Sequence, residues 1–335
     1  MTIVPPIKSQ GIKTKLASWI RDCSNHADYD RWVEPFAGTG VVAFNIQPKS
    51  ALLCDSNPHL VTFYKAVQDK YISRERARSY LTKEGQKLLE SEGDHYYFIR
   101  DKFNQYGDPL DFLFLSRSCF NGMMRFNKSG GFNVPFCKKP RRYAKSLITK
   151  ICNQIDAVSF IIERGDYTFK NQDFPKTLNE AGDKDIIYCD PPYIGRHVDY
   201  FDSWSENDEL QLKNLLEASG ANFILSTWLQ NKYRRNERVF STWKNCAIMA
   251  KEHFYHVGAS ETNRSAMTEA LLTNFSTPQS LLVENFDTSE SAFLKNSLKN
   301  KETTIKEQAL KNKTYHNLFT EDELAACKNR LDNLK

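Results

Sequence analysis

A doubly wound α/β protein with a mostly parallel sheet is the architecture this sequence predicts, and three observations carry the prediction. Short apolar runs rich in β-branched and aromatic residues alternate with segments of helical period. The first run leads into a glycine-bearing turn, Phe36-Ala37-Gly38-Thr39-Gly40, and then into a helical stretch, which is the order of a nucleotide-binding βα unit. A fourth run, Asp185-Ile186-Ile187-Tyr188-Cys189, is apolar enough for a strand buried on both faces, and it ends on Asp190-Pro191-Pro192-Tyr193. That ending falls at the carboxyl edge of the sheet, where open α/β folds bind ligands.

Seven strands are expected, over residues 31–36, 51–55, 159–163, 185–190, 222–227, 246–257 and 266–275, the last two as a closing pair. Helical patterns lie between them. Val41–Ile46 follows the glycine turn, and Glu206–Ser219 carries Leu212, Leu215 and Leu216 on one face. Ser205 with Asp208 offers that helix a capping pair, and Gly220 can end it. About a hundred residues separate the second strand from the third, whereas a crossover needs only a few tens. Residues 72–150 are therefore read as an inserted, mainly helical domain with hairpin signals at Asn121-Gly122 and Gly130-Gly131. Residues 1–71 and 151–277 would form the sheet-bearing domain. Residues 278–335 turn polar, with Leu294, Leu298, Ile305 and Leu310 at loose helical spacing, and read as a helical extension. Thr320-Glu321-Asp322-Glu323 would cap its last helix.

At 335 residues the chain can bury a large core, and no apolar stretch reaches bilayer length. The amino terminus lacks the basic-then-apolar pattern of a signal peptide, so the eight scattered cysteines are read as reduced thiols of a cytoplasmic monomer. No C-x-x-C or paired-histidine spacing is present, and no metal site is expected. The net charge of +5 is modest, but Lys138-Lys139-Pro140-Arg141-Arg142-Tyr143 and Lys232-Tyr233-Arg234-Arg235 are compact basic clusters beside aromatic rings. Such clusters are commonly solvated surface. They also suit a phosphate backbone.

The chemistry-bearing residues gather at strand ends. Gly38 and Gly40 allow close backbone approach to a ligand, yet neither a three-glycine fingerprint nor a P-loop lysine is present, which favours a nucleotide-like ligand without a pyrophosphate. Asp55 ends the second strand, placed for ribose hydroxyls. Asp166 would end the third, within reach of an adenine amino group. At the fourth, the Asp190 carboxylate, a rigid proline pair and the Tyr193 ring suit a planar substrate carrying an amine. Each acid alone could be an ordinary turn residue; four at successive strand ends are hard to attribute to chance.

With those residues in place, the chain resembles a Dam-type DNA adenine-N6 methyltransferase of the α group. Phe36-Ala37-Gly38-Thr39-Gly40 resembles the family's S-adenosylmethionine loop, and Asp190-Pro191-Pro192-Tyr193 its catalytic motif. Phe120-Asn121-Gly122-Met123-Met124-Arg125-Phe126-Asn127 with Gly131-Phe132-Asn133-Val134-Pro135-Phe136 is similar to the signature of its target-recognition domain. The resemblance spans roughly residues 5–276. Where the family reads K-W-x-G-G-K, this chain has Lys8-Ser9-Gln10-Gly11-Ile12-Lys13, and only Lys13 is carried over to the cofactor site. Ser265-Ala266-Met267 stands where G-A-T-C enzymes carry a basic run, which leaves the recognition sequence open.

The resemblance implies a methyltransferase of the Rossmann-like class, acting on double-stranded DNA and using S-adenosylmethionine. It implies cofactor contacts from Lys13, Phe36, Ala37, Gly38, Thr39, Gly40, Asp55, Asp166 and Asp190, and catalysis by Asp190, Pro191, Pro192 and Tyr193. DNA contacts would come from Phe120, Asn121, Arg125, Asn127, Lys138, Lys139, Arg141, Arg142 and Arg196, with residues 195–201 closing over the target nucleotide. The setting would be prokaryotic or phage restriction–modification, with a cognate endonuclease as partner. The rivals are an RNA adenine-N6 or DNA cytosine-N4 methyltransferase, and an idle DNA- or partner-binding relative.

Overall fold

The computed structural model describes residues 2–9, 11–127, 129–193, 204–231, 234–254, 266–277 and 281–282. The expected helical tail, apart from Leu281 and Leu282, and the segment 195–201 with Arg196 lie outside the described residues.

Eight strands form one sheet in the order β3-β2-β1-β4-β5-β7-β6-β8. They are β1 (Arg31–Glu34), β2 (Ser50–Asp55), β3 (Asp166–Asn171), β4 (Asp185–Cys189), β5 (Asn222–Asn231), β6 (Ala247–Phe254), β7 (Ala266–Thr273) and the two-residue β8 (Leu281–Leu282). β1 to β5 pair in parallel, whereas β7 lies antiparallel between β5 and β6. Six of the eight fall where strands were expected, and β8 adds a short antiparallel edge to β6.

Alternation along the strands builds two cores. Trp32, Leu53 and Tyr188 face one side, with Ile20 of α1 (Ala17–Ser24), Phe44 of α2 (Val41–Ile46), Phe63 of α3 (Pro58–Gln68) and Ile155 of α7 (Lys145–Arg164). Val33, Leu52, Ile187 and Cys189 face the other, with Leu178 of α8 (Phe174–Asn179), Leu212 and Leu216 of α9 (Glu206–Ser219), and Trp243 beyond α10 (Arg238–Ser241). β4 is buried along its whole length because helices cover both of its faces. The α9 boundaries are those expected, with the Ser205–Asp208 capping box and a left-handed Gly220.

One strand was misplaced. Residues 159–163 are not β3 but the last turns of α7, whose buried Ile148, Ile151, Ile155, Val158 and Ile162 recur every three to four residues. β3 follows directly, and as an edge strand it buries only Tyr167 and Phe169.

Between β2 and β3 the chain runs through α3, α4 (Arg74–Glu90), α5 (His95–Tyr106) and α6 (Pro109–Ser118), an irregular hairpin and α7. The hairpin is marked by the antiparallel bridges Cys119–Phe136 and Phe126–Phe132. Its core is continuous with the first face of the sheet. Arg117 secures that union. Its buried guanidinium donates to the Pro6 carbonyl at 2.6 Å and to Gln154 of α7, and burial lowers its pKa to about 10. The amino-terminal segment is thereby tied to α6.

Candidate active site

The direction of strand addition reverses between β1 and β4, which makes the gap between their carboxyl ends the switch point where such sheets bind ligands. The glycine turn leaves β1 there, and Asp190 leaves β4 there.

Gly38 and Gly40 hold φ of 52° and 67°, the left-handed region that glycine tolerates best. At Gly40 a Cβ would stand 2.5 Å from the Phe44 ring, so space as well as backbone angle demands glycine. Asp55 fastens the turn. Its carboxylate accepts the Gly38 and Asn57 N–H groups at 2.8 Å each, and these bonds oppose the rise that burial imposes on its pKa. Each oxygen keeps a lone pair for a further donor such as a ribose hydroxyl. A small hollow lined by Ala37, Gly38, Gly40, Asp55 and Tyr64 lies against the turn. Above it, Phe36 stacks on Phe174 at 5.5 Å and meets Trp204 edge-on at 5.6 Å. These three half-exposed rings supply the aromatic faces that a sulfonium favours.

Asp166 stands elsewhere. It opens β3, level with Ser50 at the start of β2, and so lies at the opposite edge of the sheet from Asp55. The error follows from the misplaced strand. At the end level with Asp55 the structure puts Asn171, and Asp173 caps α8 just beyond, next to Phe174.

At the other side of the switch point, the Lys13 ammonium lies 2.9 Å from Asp190 and donates to the Tyr193 hydroxyl at 3.1 Å. Tyr193 in turn donates to the Glu269 carboxylate of β7 at 3.1 Å. Burial raises the Asp190 pKa, and Lys13 opposes the rise. Behind this corner Glu34 is buried, accepts the Trp32 indole N–H at 2.8 Å, and is pushed up to about 8 by loss of water. From the motif a cleft of about 450 Å³ runs outward, lined by Pro191, Pro192, Tyr193, Trp204, Trp228 and Arg234 among others.

The irregular hairpin between α6 and α7 docks beside Asp55, with Asn57 donating to the Met124 sulfur at 3.4 Å and His59 stacked on Phe126 at 5.1 Å. Phe120 is exposed, Asn121 has φ of 53°, and the Lys8 stem packs under Gly122. Arg125 is held by Asn133, its Nε donating to Oδ1 at 2.9 Å. Asn127 shapes the Gly130-Gly131 turn by accepting the N–H groups of Ser129 and Gly131. Lys138, Lys139 and Arg141 are exposed, while Arg142 donates to the Arg117 carbonyl at 2.7 Å.

Residues 9–262 match the model of the family described as D12 class N6 adenine-specific DNA methyltransferase. The chain belongs to that family. Among relatives, it is 32% identical over 200 residues to the retron Ec67 DNA adenine methylase of Escherichia coli, covering 56% of this chain and 64% of that protein. It is 34% identical over 185 residues to a DNA adenine methylase of Vibrio cholerae, covering 52% and 61%. It is 27% identical over 266 residues to the type II methyltransferase M1.LlaDCHI of Lactococcus lactis subsp. cremoris, covering 74% and 87%. The chain thus spans just under two thirds of the first two relatives.

Two residues beside this candidate site were missing from the sequence-based expectations. Glu269 carried a signal, since an acid inside the apolar strand Ala266–Thr273 is costly to bury without a partner. Asp173 had a weaker one, a cap residue before Phe174-Pro175.

Proposed function

We propose that this D12 methyltransferase transfers a methyl group from S-adenosylmethionine to the N6 atom of an adenine extruded from duplex DNA. The observation that carries the proposal is the Asp190–Tyr193 corner held by Lys13 and Glu269, one strand away from the glycine turn fastened by Asp55. The left-handed turn, the lone pairs of Asp55 and the Phe36–Phe174–Trp204 rings fit the cofactor, which when bound supplies an electrophilic methyl on a sulfonium. Lys13, Ala37 and Thr39 complete the cofactor's surroundings in this reading.

The protein's own part is to ready the nitrogen. An adenine amine is a weak nucleophile because its lone pair is delocalised into the ring. Asp190 and the Pro191 carbonyl each accept one N–H, which favours tetrahedral nitrogen and frees the pair. Stabilisation of this kind grows as positive charge develops on nitrogen, so it lowers the barrier rather than merely tightening binding. The substrate amine takes over the place of Lys13 at Asp190, and after transfer the nitrogen returns its extra proton to solvent through that carboxylate. Pro192 keeps the turn rigid and Tyr193 stacks on the base. The cleft beyond the prolines receives the extruded nucleotide, whose extrusion costs about a few kcal/mol.

The insert, residues 72–150, is proposed as the DNA-reading part. Phe120 and Asn121 would enter the gap left by the base, Arg125 and Asn127 would present the hairpin to base edges, and Lys138, Lys139, Arg141 and Arg142 would meet phosphates. The similarity to a type II methyltransferase supports a restriction–modification setting with a cognate endonuclease, in the cytoplasm. Incubation with labelled S-adenosylmethionine and unmethylated duplex DNA, followed by nucleoside analysis, tests the reading. N6-methyladenine is the expected product. Its absence overturns the proposal, and label in cytosine replaces the target base.

A further inference from the structure

β5 is ten residues long but pairs with β4 only over Asn222 to Leu225, so its second half projects past the carboxyl end of β4 as a shelf beside the catalytic motif. A register shift between Trp228 and Gln230 re-aims the strand there. The chain then turns back on itself. Asn231 N–H bonds the Arg234 carbonyl at 2.9 Å, Arg234 N–H bonds the Asn231 side chain at 3.0 Å, and buried Asn236 donates to the Trp228 carbonyl at 2.9 Å. This built turn sets the Arg234 guanidinium 4.9 Å from the Trp228 ring and that of Arg235 3.6 Å from the Phe240 ring.

A contrast within the cleft tells what these arginines are for. Arg238 pairs with Glu206 and Glu209 and is part of the framework. Arg234 and Arg235 have no carboxylate partner among the described residues, and both line the cleft that begins at Pro191 and Tyr193. A guanidinium laid on an aromatic face keeps its in-plane N–H donors directed outward, the geometry that takes a phosphate in a forked pair of bonds. We infer that Arg234 and Arg235 hold the phosphodiester backbone of the nucleic-acid strand flanking the extruded nucleotide. This inference rests on the proposed activity, and it places a DNA contact on the sheet domain in addition to those on the insert.

The full-length chain, its Arg234→Ala/Arg235→Ala variant and the corresponding double lysine variant are titrated against a fluorescent duplex at several salt concentrations. The alanine variant is expected to bind at least about tenfold more weakly at low salt, with the slope of log K against log salt shallower by about one to two. The lysine variant is expected to keep the slope, because charge is retained. An alanine variant with the slope and affinity of the parent overturns the inference. Binding is read without turnover, so a failure of the methylation assay on the parent chain counts against the activity alone. Unchanged cofactor affinity in the alanine variant separates a strand contact from a collapsed cleft, whereas lost cofactor affinity overturns it.

Discussion

Asp55 and Asp190 end strands on either side of β1, yet they are held by different means. Asp55 accepts two backbone N–H groups and thereby fixes the glycine turn. Asp190 is held by a side-chain ammonium, itself tied through Tyr193 to Glu269. Backbone donors cannot leave without unfolding the turn, whereas a lysine can yield its place to an incoming amine. The difference teaches which carboxylate is a fixture of the turn and which can exchange its partner, as the proposed role of Asp190 requires.

The strongest break of that comparison is Asp190→Ala, for which transfer rates should fall roughly 10²–10³-fold while calorimetry finds cofactor affinity little changed. An active variant would remove Asp190 from the chemistry. Glu34 sharpens the contrast as a third carboxylate, buried and held by the Trp32 indole N–H. Its folded pKa of about 8 lies above the ordinary 4.5, so the folded state holds the proton longer. Its contribution is complete below about pH 4.5 and lost as pH rises through about 8. Glu34→Gln should therefore gain up to roughly a few kcal/mol over the parent in urea melts at alkaline pH, and parallel pH profiles would refute the protonated state. Asp55→Ala should cost about 1–3 kcal/mol in the same melts by leaving the Gly38 and Asn57 N–H groups unpaired, and should weaken cofactor binding as well. Smallest is the coupling between Tyr193→Phe and Glu269→Gln. A double-mutant cycle on kcat should show an interaction of about 1 kcal/mol with KM for DNA unmoved, whereas additivity would disconnect Glu269 from the corner.

Much of this was legible in the sequence because the signals were local and unambiguous. Asp185 to Cys189 is apolar without interruption, as a strand covered on both faces must be, and Ser205, Asp208 and Gly220 mark the ends of α9 one by one. The third strand was not legible. Phe160, Ile161 and Ile162 are as apolar as a strand but continue a 20-residue helix, while the true β3 is an edge strand whose residues are polar except for Tyr167 and Phe169. A short apolar run cannot declare its own period. That slip carried Asp166 to the wrong end of the sheet and hid Asp173. The Asp190–Tyr193 motif could be read as four consecutive residues, but the partners that steady it come from far off in the chain, Lys13 from the segment before α1 and Glu269 from β7. Only folding brings Lys13 and Glu269 to Tyr193.

Those separations also set an order of events at the ribosome. The bond from Lys13 to Tyr193 spans 180 residues and the one from Tyr193 to Glu269 another 76. At about 5–20 residues per second, Lys13 emerges on the order of tens of seconds before Glu269. The helices between β2 and β3 are complete long before then, so the growing chain acquires its insert first. A nascent chain cut short of β7 would carry the Asp190–Tyr193 motif and Lys13 but not the Glu269 carboxylate to which Tyr193 donates.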